Sequence, residues 1–431
     1  MDTPLGRKRR VNLSSCNKDF TCLDGFCPSF VTVEGPRRAA SADESRLPDI
    51  ETAMAALPAP ALPKTDAPYD ILVTGVGGTG VTTIGAVLSM AAHLDGTATT
   101  LLNFSGLAQK FGAVMSFVRL ADSPDMLHQT RIAAASADAL IGCDAVVSAS
   151  PAAMKTYRHG TAAILNLAEM TTGELVRNRD LDLQMDDRVA AIAAACGAGS
   201  VQGFDANRLA EACLGDTVYA NMIMLGAAWQ AGAVPVSADA IFKAITLNGV
   251  KIEKNRFAFD LGRLMQGNPA IVQDALLPPP ATPMDEDHDR IIADRQARLT
   301  AYQDAAYAER YRAHMDRFAG RCEEPGLRAI VARQLYRMMA YKDEYEVARL
   351  HAAAGFRDHL SALFAPGFRQ SNHLVIPFLT RATDGRGRPR KTETRLMHRL
   401  FPLLARGKRL RGTPFDPFGW QHERRAERGL I

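Results

Sequence analysis

Residues 69–83 read YDILVTGVGGTGVTT and determine the predicted fold of the chain. A short run of apolar residues leads directly into Gly75, Gly77, Gly78 and Gly80. A strand that ends in glycines and continues into a helix is typical of the first strand, turn and helix of an α/β domain. The glycines allow a sharp turn, and the first N–H groups of the next helix favour an anion. We therefore predict that this turn, called the glycine loop below, is a candidate cofactor-binding site.

Residues 69–270 alternate between short apolar runs and segments with helical spacing of their apolar residues. This alternation predicts an α/β, Rossmann-like domain with a mostly parallel sheet covered by helices. The predicted strands are 71–74, 99–103, 114–120, 145–148 and 163–166. The predicted helices are 81–94, 123–142, 206–214, 217–231, 237–247 and 250–266.

The glycine loop matches the dinucleotide fingerprint G-x-G-x-x-G in its letters but lacks the residue that usually accompanies it. A nicotinamide or flavin site needs an acidic residue at the end of the second strand, where it holds the ribose hydroxyls. Here that strand ends in Asn-Phe-Ser at 103–105, and Asp95 comes before it. No Gly-Lys-Ser/Thr follows the glycines, so a P-loop is also excluded. The sequence therefore leaves two interpretations of the glycine loop open: a ligand-binding site, or a tight turn that binds no ligand.

The segment SGLAQKFG, residues 105–112, connects the second predicted strand to the third. Since ligands of such sheets lie at the carboxyl ends of strands, this connection is expected close to the glycine loop. Gln109, Lys110 and Arg119 are then candidates to contact an anionic group or a neighbouring chain, with structural roles as the alternative. The sequence has no G-x-S-x-G, H-E-x-x-H or Gly-Asp-Gly motif, so catalytic residues stay unassigned.

Residues 1–35 contain a dense group of cysteines. Cys16, Cys22 and Cys27 lie within twelve residues, and Pro28 follows the last of them. Thiolates bind iron–sulfur clusters, and a Cys-Pro pair after a short cysteine run is a ferredoxin-like feature. The spacing C-x5-C-x4-C-P differs from the compact ferredoxin run, and a zinc ion or a four-iron cluster takes four ligands. Iron–sulfur ligands, a zinc site and free thiols therefore all remain open.

The rest of the chain divides by composition. Residues 36–68 and 271–290 are proline-rich and read as linkers, and 291–431 show the apolar spacing of amphipathic helices, which predicts a mainly helical domain. The last 51 residues hold 14 Lys+Arg and 5 Asp+Glu. This excess fits a solvated surface or an acidic partner subunit better than nucleic acid, because few aromatic residues are interleaved with the charges.

Composition also limits the class of protein. The chain has 431 residues, 47% hydrophobic and 23% charged, with a net charge of +4, which is ordinary for a globular protein of several domains. No apolar run approaches the roughly 20 residues that cross a bilayer. The basic amino-terminal segment has no apolar run after it, so it is not a signal peptide. The seven cysteines, an odd number, favour the reducing cytoplasm.

Several stretches resemble one enzyme family. GVGGTGV, SGLAQKFGAVMSFVRL and IGCDAVVSAS are similar to the gamma-type domain of 2-oxoacid:ferredoxin oxidoreductases. The front segment SSCNKDFTCLDGFCPSFVTVEG, the stretch that begins ANMIMLGAAWQAGAVP and the tail RGTPFDPFGW resemble the long fused indolepyruvate ferredoxin oxidoreductases, in their carboxyl-terminal part. The resemblance covers nearly the whole chain outside the linkers.

The resemblance implies an oxidoreductase that decarboxylates an aryl 2-oxoacid on thiamine diphosphate with Mg. The acyl group passes to coenzyme A, and electrons pass through 4Fe-4S clusters to ferredoxin. Cys16, Cys22 and Cys27 would match the second half of the family's ferredoxin-like domain, as a partial set of cluster ligands. The expected partners are therefore the thiamine-diphosphate domains or subunit, ferredoxin, coenzyme A and the 2-oxoacid, without nucleic acid or membrane.

Two other readings are kept beside this one. The chain could be a non-catalytic assembly or binding module whose thiols hold zinc or nothing. A stand-alone dinucleotide-binding reductase is the third, and the missing acidic residue after the second strand counts against it.

Overall fold

The computed structural model describes residues 19–25, 27–35, 47–106, 112–170, 181–275, 287–375 and 390–429, with the isolated residues 3, 5, 8, 11, 16, 178 and 383. The chain forms two compact units. The central unit comprises residues 11–16 and 40–279, and the carboxyl-terminal unit comprises residues 1–10, 17–39 and 280–431.

Nine strands form two sheets in the described part of the chain. In chain order they are β1 (Val31–Glu34), β2 (Tyr69–Val76), β3 (Ala98–Ser105), β4 (Ala113–Ala121), β5 (Ala139–Gly142), β6 (Ala162–Asn166), β7 (Val201–Phe204), β8 (Arg369–Leu374) and β9 (Thr392–Thr394).

The central sheet has the strand order β3-β4-β2-β5-β6-β7. From β2 to β7 the neighbouring strands are parallel, whereas β4 runs antiparallel to both β2 and β3. The predicted α/β fold with a mostly parallel sheet is therefore confirmed, with one reversed strand near an edge. Parallel strands buried on both faces explain the nearly continuous apolar runs of the sequence.

Strand β2 shows how the sheet is filled on both faces. Ile71 and Val73 point into one core, while Leu72 and Val76 point into the other, as the alternation of side chains along a strand requires. Helices cover both faces. Those of the central unit are Leu47–Ala55, Val81–Leu94, Ala145–Ser148, Pro151–Met154, Met185–Cys196, Ala206–Leu214, Ala220–Gln230, Ala238–Asn248, Ile252–Gly267 and Pro269–Ala275.

The helix Ala220–Gln230 is buried on every side from Ala220 to Trp229. It packs against the helix Ile252–Gly267 through two glycines, Gly226 in the first helix and Gly262 in the second. A methyl group on Gly226 would overlap the backbone of Phe259. Glycine is therefore required here because the two backbones touch.

The carboxyl-terminal unit combines helices with a small antiparallel sheet of order β1-β8-β9. Its largest apolar cluster contains Leu299, Tyr302 and Tyr311. Its helices are His288–Tyr302, Ala305–Ala319, Pro325–Met339, Glu344–Ala352, Ala354–Leu363, Met397–Arg406 and His422–Gly429. No helix in the described ranges is both long and apolar enough to cross a membrane.

Two predicted elements are wrong, and several elements were missed. One of the missed elements is the helix Leu47–Ala55, which lies inside the segment predicted as a linker over 36–68 and whose Ile50 is buried in the core. The segment predicted as one helix over 123–142 contains a short 3-10 turn, irregular chain and the fully buried strand β5. The segment predicted as a strand over 145–148 is a helical turn that Asp144 caps. The helix Met185–Cys196 and the edge strand β7 were not predicted. The helices predicted at 81–94 and 206–214 are confirmed.

Candidate functional site

The glycine loop lies where the sheet changes its direction of winding. From β2 the chain turns to the helix Val81–Leu94, which packs into one core of the sheet. From the parallel neighbour β5 it turns to the helix Ala145–Ser148, whose Val147 packs into the other core. A crevice at such a switch point, outside the carboxyl ends of the strands, is where open α/β sheets bind ligands.

Backbone hydrogen bonds hold the loop in place. The N–H of Gly77 donates to the carbonyl of Gly112 at 2.7 Å. The Thr79 hydroxyl donates to the carbonyl of Val76 at 2.8 Å. The contact with Gly112 confirms that the connection after β3 returns to the glycine loop. Gln109 and Lys110, the two candidates within that connection, lie outside the described residues.

The candidate glycines have different roles. Gly75 is buried, and a Cβ there would lie 2.9 Å from the Cβ of Cys143, so its role is packing. Gly78 and Gly80 have φ angles of +97° and +83°, which strain any side chain. Gly78 is exposed, and Gly77 is partly exposed. The open side of the loop is therefore bare backbone.

One side chain reaches this bare backbone. Asn221 is only 7% exposed, and its amide nitrogen lies where a Cβ on Gly80 would be. Its Oδ1 accepts a hydrogen bond from the N–H of Met222 at 2.8 Å. Within the described chain, no acceptor is found for its Nδ2. The helix that begins at Val81 has no side-chain cap either. Backbone and amide donors thus face the same spot, which suits an anion.

Asp144 ties the two strands at the switch point together. Its Oδ2 accepts from the N–H of Val76 at 2.6 Å, and its Oδ1 accepts from the N–H of Val147 at 2.7 Å. Burial raises the pKa of Asp144, although these backbone hydrogen bonds and Arg188 oppose the shift. Since both oxygens are engaged, we assign Asp144 a structural role rather than that of a ligand.

A second buried amide fixes the edge of the crevice. Asn166, at the end of β6, donates to the carbonyl of Cys143 at 3.1 Å and to Asn207 at 2.9 Å. Its Oδ1 accepts from the N–H of Ala206 at 3.0 Å.

Burial raises the pKa of Cys143 far above its ordinary value, so this thiol is neutral and unreactive.

The structure also weakens the dinucleotide reading. The strand that follows the first helix, β3, does not pair with β2, because β4 lies between them. Asn103, near the end of β3, accepts a hydrogen bond from Ser116 at 2.5 Å. Neither the strand order nor this residue provides the ribose-binding acid of a nicotinamide site.

Arg119, a candidate to contact an anion or a neighbouring chain, has a structural role instead. Its Nε lies 2.6 Å from the carboxylate of Asp70, and both side chains are buried. The antiparallel register pairs Arg119 with Asp70 at the start of β2, the end opposite the glycine loop. The alternation of the strand alone could not reveal this, because the register depends on the partner strand.

The three front cysteines are divided between the two units: Cys16 belongs to the central unit, and Cys22 and Cys27 belong to the carboxyl-terminal unit. Cys16 is partly exposed, and Cys22 and Cys27 are exposed. Among the described residues, the one group of three convergent ligands is Asp287, His288 and Asp289, which contains no thiol. The residues described here therefore do not by themselves fit a four-iron cluster.

Cys27 nevertheless has an unusual environment. Burial alone would raise the pKa of this thiol, but hydrogen bonds to Ser29 and the charges of Lys342 and Lys391 bring it below its ordinary value. Lys391 also donates to the carbonyl of Cys27 at 2.6 Å. A lowered pKa favours the thiolate, which is the form that binds metals.

The stretch that contains Cys22 and Cys27, called the thiol segment below, belongs to the carboxyl-terminal unit. His351 Nε2 donates to the carbonyl of Pro28 at 3.0 Å. Strand β1, which follows at once, pairs with β8 through the register Val31↔Asn372. The sequence suggested two separate segments here, because a strand pairing between residues so far apart leaves no local pattern.

Two family models match the chain. Residues 70–265 match the model described as pyruvate ferredoxin/flavodoxin oxidoreductase. Residues 288–431 match a family of unknown function, DUF6537.

Curated relatives match the central unit. Indolepyruvate oxidoreductase subunit IorB of Pyrococcus horikoshii is 25% identical over 196 residues, which cover 45% of this chain and 94% of that protein. The subunit of the same name from Thermococcus kodakarensis shows the same identity and coverage. With the family model, these matches identify residues 70–265 as a gamma-type domain of 2-oxoacid ferredoxin oxidoreductases.

Solved structures give weaker similarities. The gamma subunit of a keto/oxoacid ferredoxin oxidoreductase from Geobacter sulfurreducens is 22% identical, with a TM-score of 0.31, and the match covers 46% of this chain and 98% of that one. Pyruvate oxidoreductase subunit PORC from Thermotoga maritima is 19% identical, with a TM-score of 0.34, and the match covers 46% of this chain and 96% of that one.

Proposed function

We propose that the chain is a component of an indolepyruvate ferredoxin oxidoreductase. This enzyme would decarboxylate an aryl 2-oxoacid to its acyl-CoA and pass the electrons through iron–sulfur clusters to ferredoxin. The observation that carries the proposal is the similarity of the central unit to subunits named indolepyruvate oxidoreductase over 94% of their length. Thiamine diphosphate, in domains or a subunit beyond this chain, would supply the carbanion chemistry.

In this function the glycine loop would bind an anionic part of coenzyme A, such as a phosphate. Three features support this assignment: the uncapped start of the helix at Val81, the bare backbone of Gly78 and the amide of Asn221. All offer N–H donors, and the helix dipole favours negative charge at the same place. The loop would therefore orient the acyl acceptor, while the chemistry would take place on the thiamine-diphosphate domains.

The thiols would complete a cluster only together with further cysteines. Cys16, Cys22 and Cys27 supply three ligands, and a four-iron cluster takes four. The hydrogen bond from Lys391 to the carbonyl of Cys27 would hold this cysteine in place.

The enzyme assignment is tested with the chain assembled with thiamine-diphosphate domains of the same enzyme type. We expect indolepyruvate-dependent reduction of ferredoxin that also requires coenzyme A. Asn221→Leu should raise the KM for coenzyme A about tenfold, since a desolvated hydrogen-bond donor is lost, and leave the KM for indolepyruvate unchanged. Asn255→Leu, which alters a partly exposed amide on another helix that donates to the carbonyl of Val250, is the matched control. No turnover of any aryl 2-oxoacid by the assembled enzyme contradicts the proposed function.

A second candidate is a non-catalytic assembly or binding module. The exposure of Cys22 and Cys27 as free thiols favours it. Metal analysis separates the two candidate functions. The protein is purified anaerobically after co-expression with the domain that would carry the further cluster cysteines. Iron and sulfide in a ratio near one support the oxidoreductase, whereas zinc without iron, or no metal, supports the module.

A further inference from the structure

The helix Met397–Arg406 has two apolar sides, and one of them is left open. Its inner side carries Phe401, which is buried in a small core with Leu374 of β8. On the outer side, Leu396, Leu400 and Leu403 follow one another at helical spacing. Their exposed fractions are 66%, 50% and 67%. Consecutive exposed leucines along one stripe mark an interaction surface more often than a free surface.

The charged side chains beside this stripe of leucines are all positive. Arg399 and Arg406 lie next to the leucines on the helical wheel and are exposed. Neither forms an ion pair with any residue that the structure describes. Residues 394–415 contain six Lys+Arg and no Asp or Glu. We call the five residues of the outer side the leucine–arginine face: Leu396, Arg399, Leu400, Leu403 and Arg406.

The helix that carries this face packs near the strand that follows Cys22 and Cys27. The helix packs on β8, and β8 pairs with β1, which begins three residues after Pro28. In the same unit, Lys391 contacts the carbonyl of Cys27. The helix that carries the apolar stripe and the two arginines therefore packs on the same small sheet that follows the thiol segment, within one unit.

We propose that the leucine–arginine face is the docking surface for a small acidic electron carrier of the ferredoxin class. The proposal rests on the proposed function and adds the place where the electron acceptor binds. An apolar centre with a cationic rim is complementary to a carrier with an apolar patch and a rim of carboxylates. Complementary charge also speeds the encounter, which matters for a carrier that must bind and leave in every cycle.

Two other occupants fit less well. A second copy docked face to face by a twofold axis would bring Arg399 and Arg406 against their own counterparts, and like charges repel. A bilayer surface takes a helix with one apolar side and one polar, charged side, whereas this helix already buries Phe401 on its other side within the unit. This helix has 10 residues and is interrupted by Pro402.

The experiment uses the assembled enzyme with its thiamine-diphosphate domains and two electron acceptors. One is a purified bacterial ferredoxin of negative net charge, and the other is methyl viologen, which needs no protein docking. The variants are Arg399→Glu/Arg406→Glu and Leu400→Ser/Leu403→Ser. The control is Arg321→Glu/Arg357→Glu, which makes the same charge change at exposed positions of other segments in this unit.

We expect the charge variant to lower kcat/KM for ferredoxin about tenfold or more at low salt, as lost steering predicts. The leucine variant should lower it similarly, because the apolar centre of the interface is lost. Both variants should keep unchanged rates to methyl viologen. The control should keep both rates. Raising the ionic strength should reduce the difference between wild type and the charge variant. Equal ferredoxin rates in the wild type and both variants overturn the docking proposal, while an absence of methyl viologen reduction by the wild type overturns the proposed function instead.

Two further measurements exclude the other occupants. Mass photometry of the wild type and of the leucine variant shows whether the face joins two copies. Co-sedimentation with vesicles of anionic phospholipid shows whether it binds a membrane. A dimer, or vesicle binding, that the leucine variant abolishes while ferredoxin kinetics stay normal contradicts the proposal.

Discussion

The carboxylate of Asp144 and the backbone N–H of Val76 lie 2.6 Å apart, joining the ends of the two central parallel strands. Val76 is the last residue of β2 and comes immediately before Gly77 of the glycine loop. Asp144 is the second residue after the end of β5, following Cys143. A single buried side chain therefore ties the carboxyl ends of β2 and β5 together. The loop stays in place through this contact and through the backbone bond between Gly77 and Gly112.

Replacing Asp144 should destabilise the central unit. Asp144→Ala leaves the buried N–H groups of Val76 and Val147 without an acceptor, at a cost of about 1–3 kcal/mol for each. Asp144→Asn keeps one acceptor and should cost less. Urea unfolding followed by circular dichroism measures both, with Asp125→Asn, an exposed carboxylate, as the control. Equal stability of the Ala and Asn variants would argue against the bridging role.

The same carboxylate predicts a pH dependence. Burial raises its pKa in the folded state above the ordinary 3.8, so the native state binds more protons between these two values. The contribution of Asp144 to the free energy of unfolding therefore falls as the pH rises through that window. Asp144→Asn should remove this slope. We expect the stability difference between wild type and Asn variant to change as the pH is raised from about 4, and a constant difference contradicts the assignment.

Gly80 and Asn221 should be energetically coupled. Gly80→Ala places a methyl group at a φ of +83°, which costs about 1–2 kcal/mol, and pushes it into the amide of Asn221. In an Asn221→Ala background the overlap is absent, so the second part of the cost should disappear. A double-mutant cycle of unfolding free energies should then give a coupling of about 0.5–3 kcal/mol. Additive effects would show that the amide does not press on the loop.

The predictable part of the fold is the local part. The helix at 81–94 could be predicted to its end residues because its apolar spacing and its glycine start are contained in the segment. Strand β5 could not, since four buried residues carry no period of their own. The pairing of β1 with β8 joins residues more than 330 positions apart, so it follows from tertiary packing alone.

The same limit applies to the candidate site. The glycines were visible in the sequence because a turn at positive φ needs that residue type. Asp144 was hidden because the Ala-Val-Val after it resembles a strand, although an Asp before a helical turn is a common cap. Asn221 gave no signal, because its role arises only where a distant helix meets the loop.

Arg411, in the tail RGTPFDPFGW, should be essential for the carboxyl-terminal unit. It forms two hydrogen bonds with Asp343, at 2.6 and 2.8 Å, and its guanidinium lies 3.7 Å from the ring centre of Tyr302. Arg411→Ala would leave a buried carboxylate unpaired and should cost about 3–5 kcal/mol. Arg411→Lys loses the paired geometry and should recover only part of this. Arg409→Ala, an exposed neighbour, is the control in thermal and urea unfolding. A loss no larger than that of the control would show that the ion pair is dispensable.

His351 should make the attachment of the thiol segment sensitive to acid. Its ring is stacked on Phe401 and hydrogen-bonded to the carbonyl of Pro28, and burial lowers its pKa below the ordinary 6.5. The unfolded state therefore binds more protons between these values, so the contribution of His351 to stability is full above about pH 6.5 and is lost as the pH falls.

This loss should appear as faster hydrogen exchange in β1 on going from about pH 7.5 to about pH 5.5, after correction for intrinsic exchange rates. His351→Phe keeps an aromatic ring against Phe401 but removes the donor to Pro28. It should lower protection of β1 by about 1 kcal/mol at neutral pH and abolish the acid-dependent loss. His359→Phe, an exposed histidine on the next helix, should behave as wild type. If β1 loses protection equally in the wild type and the His351 variant, another group is responsible, because the variant has no imidazole to protonate.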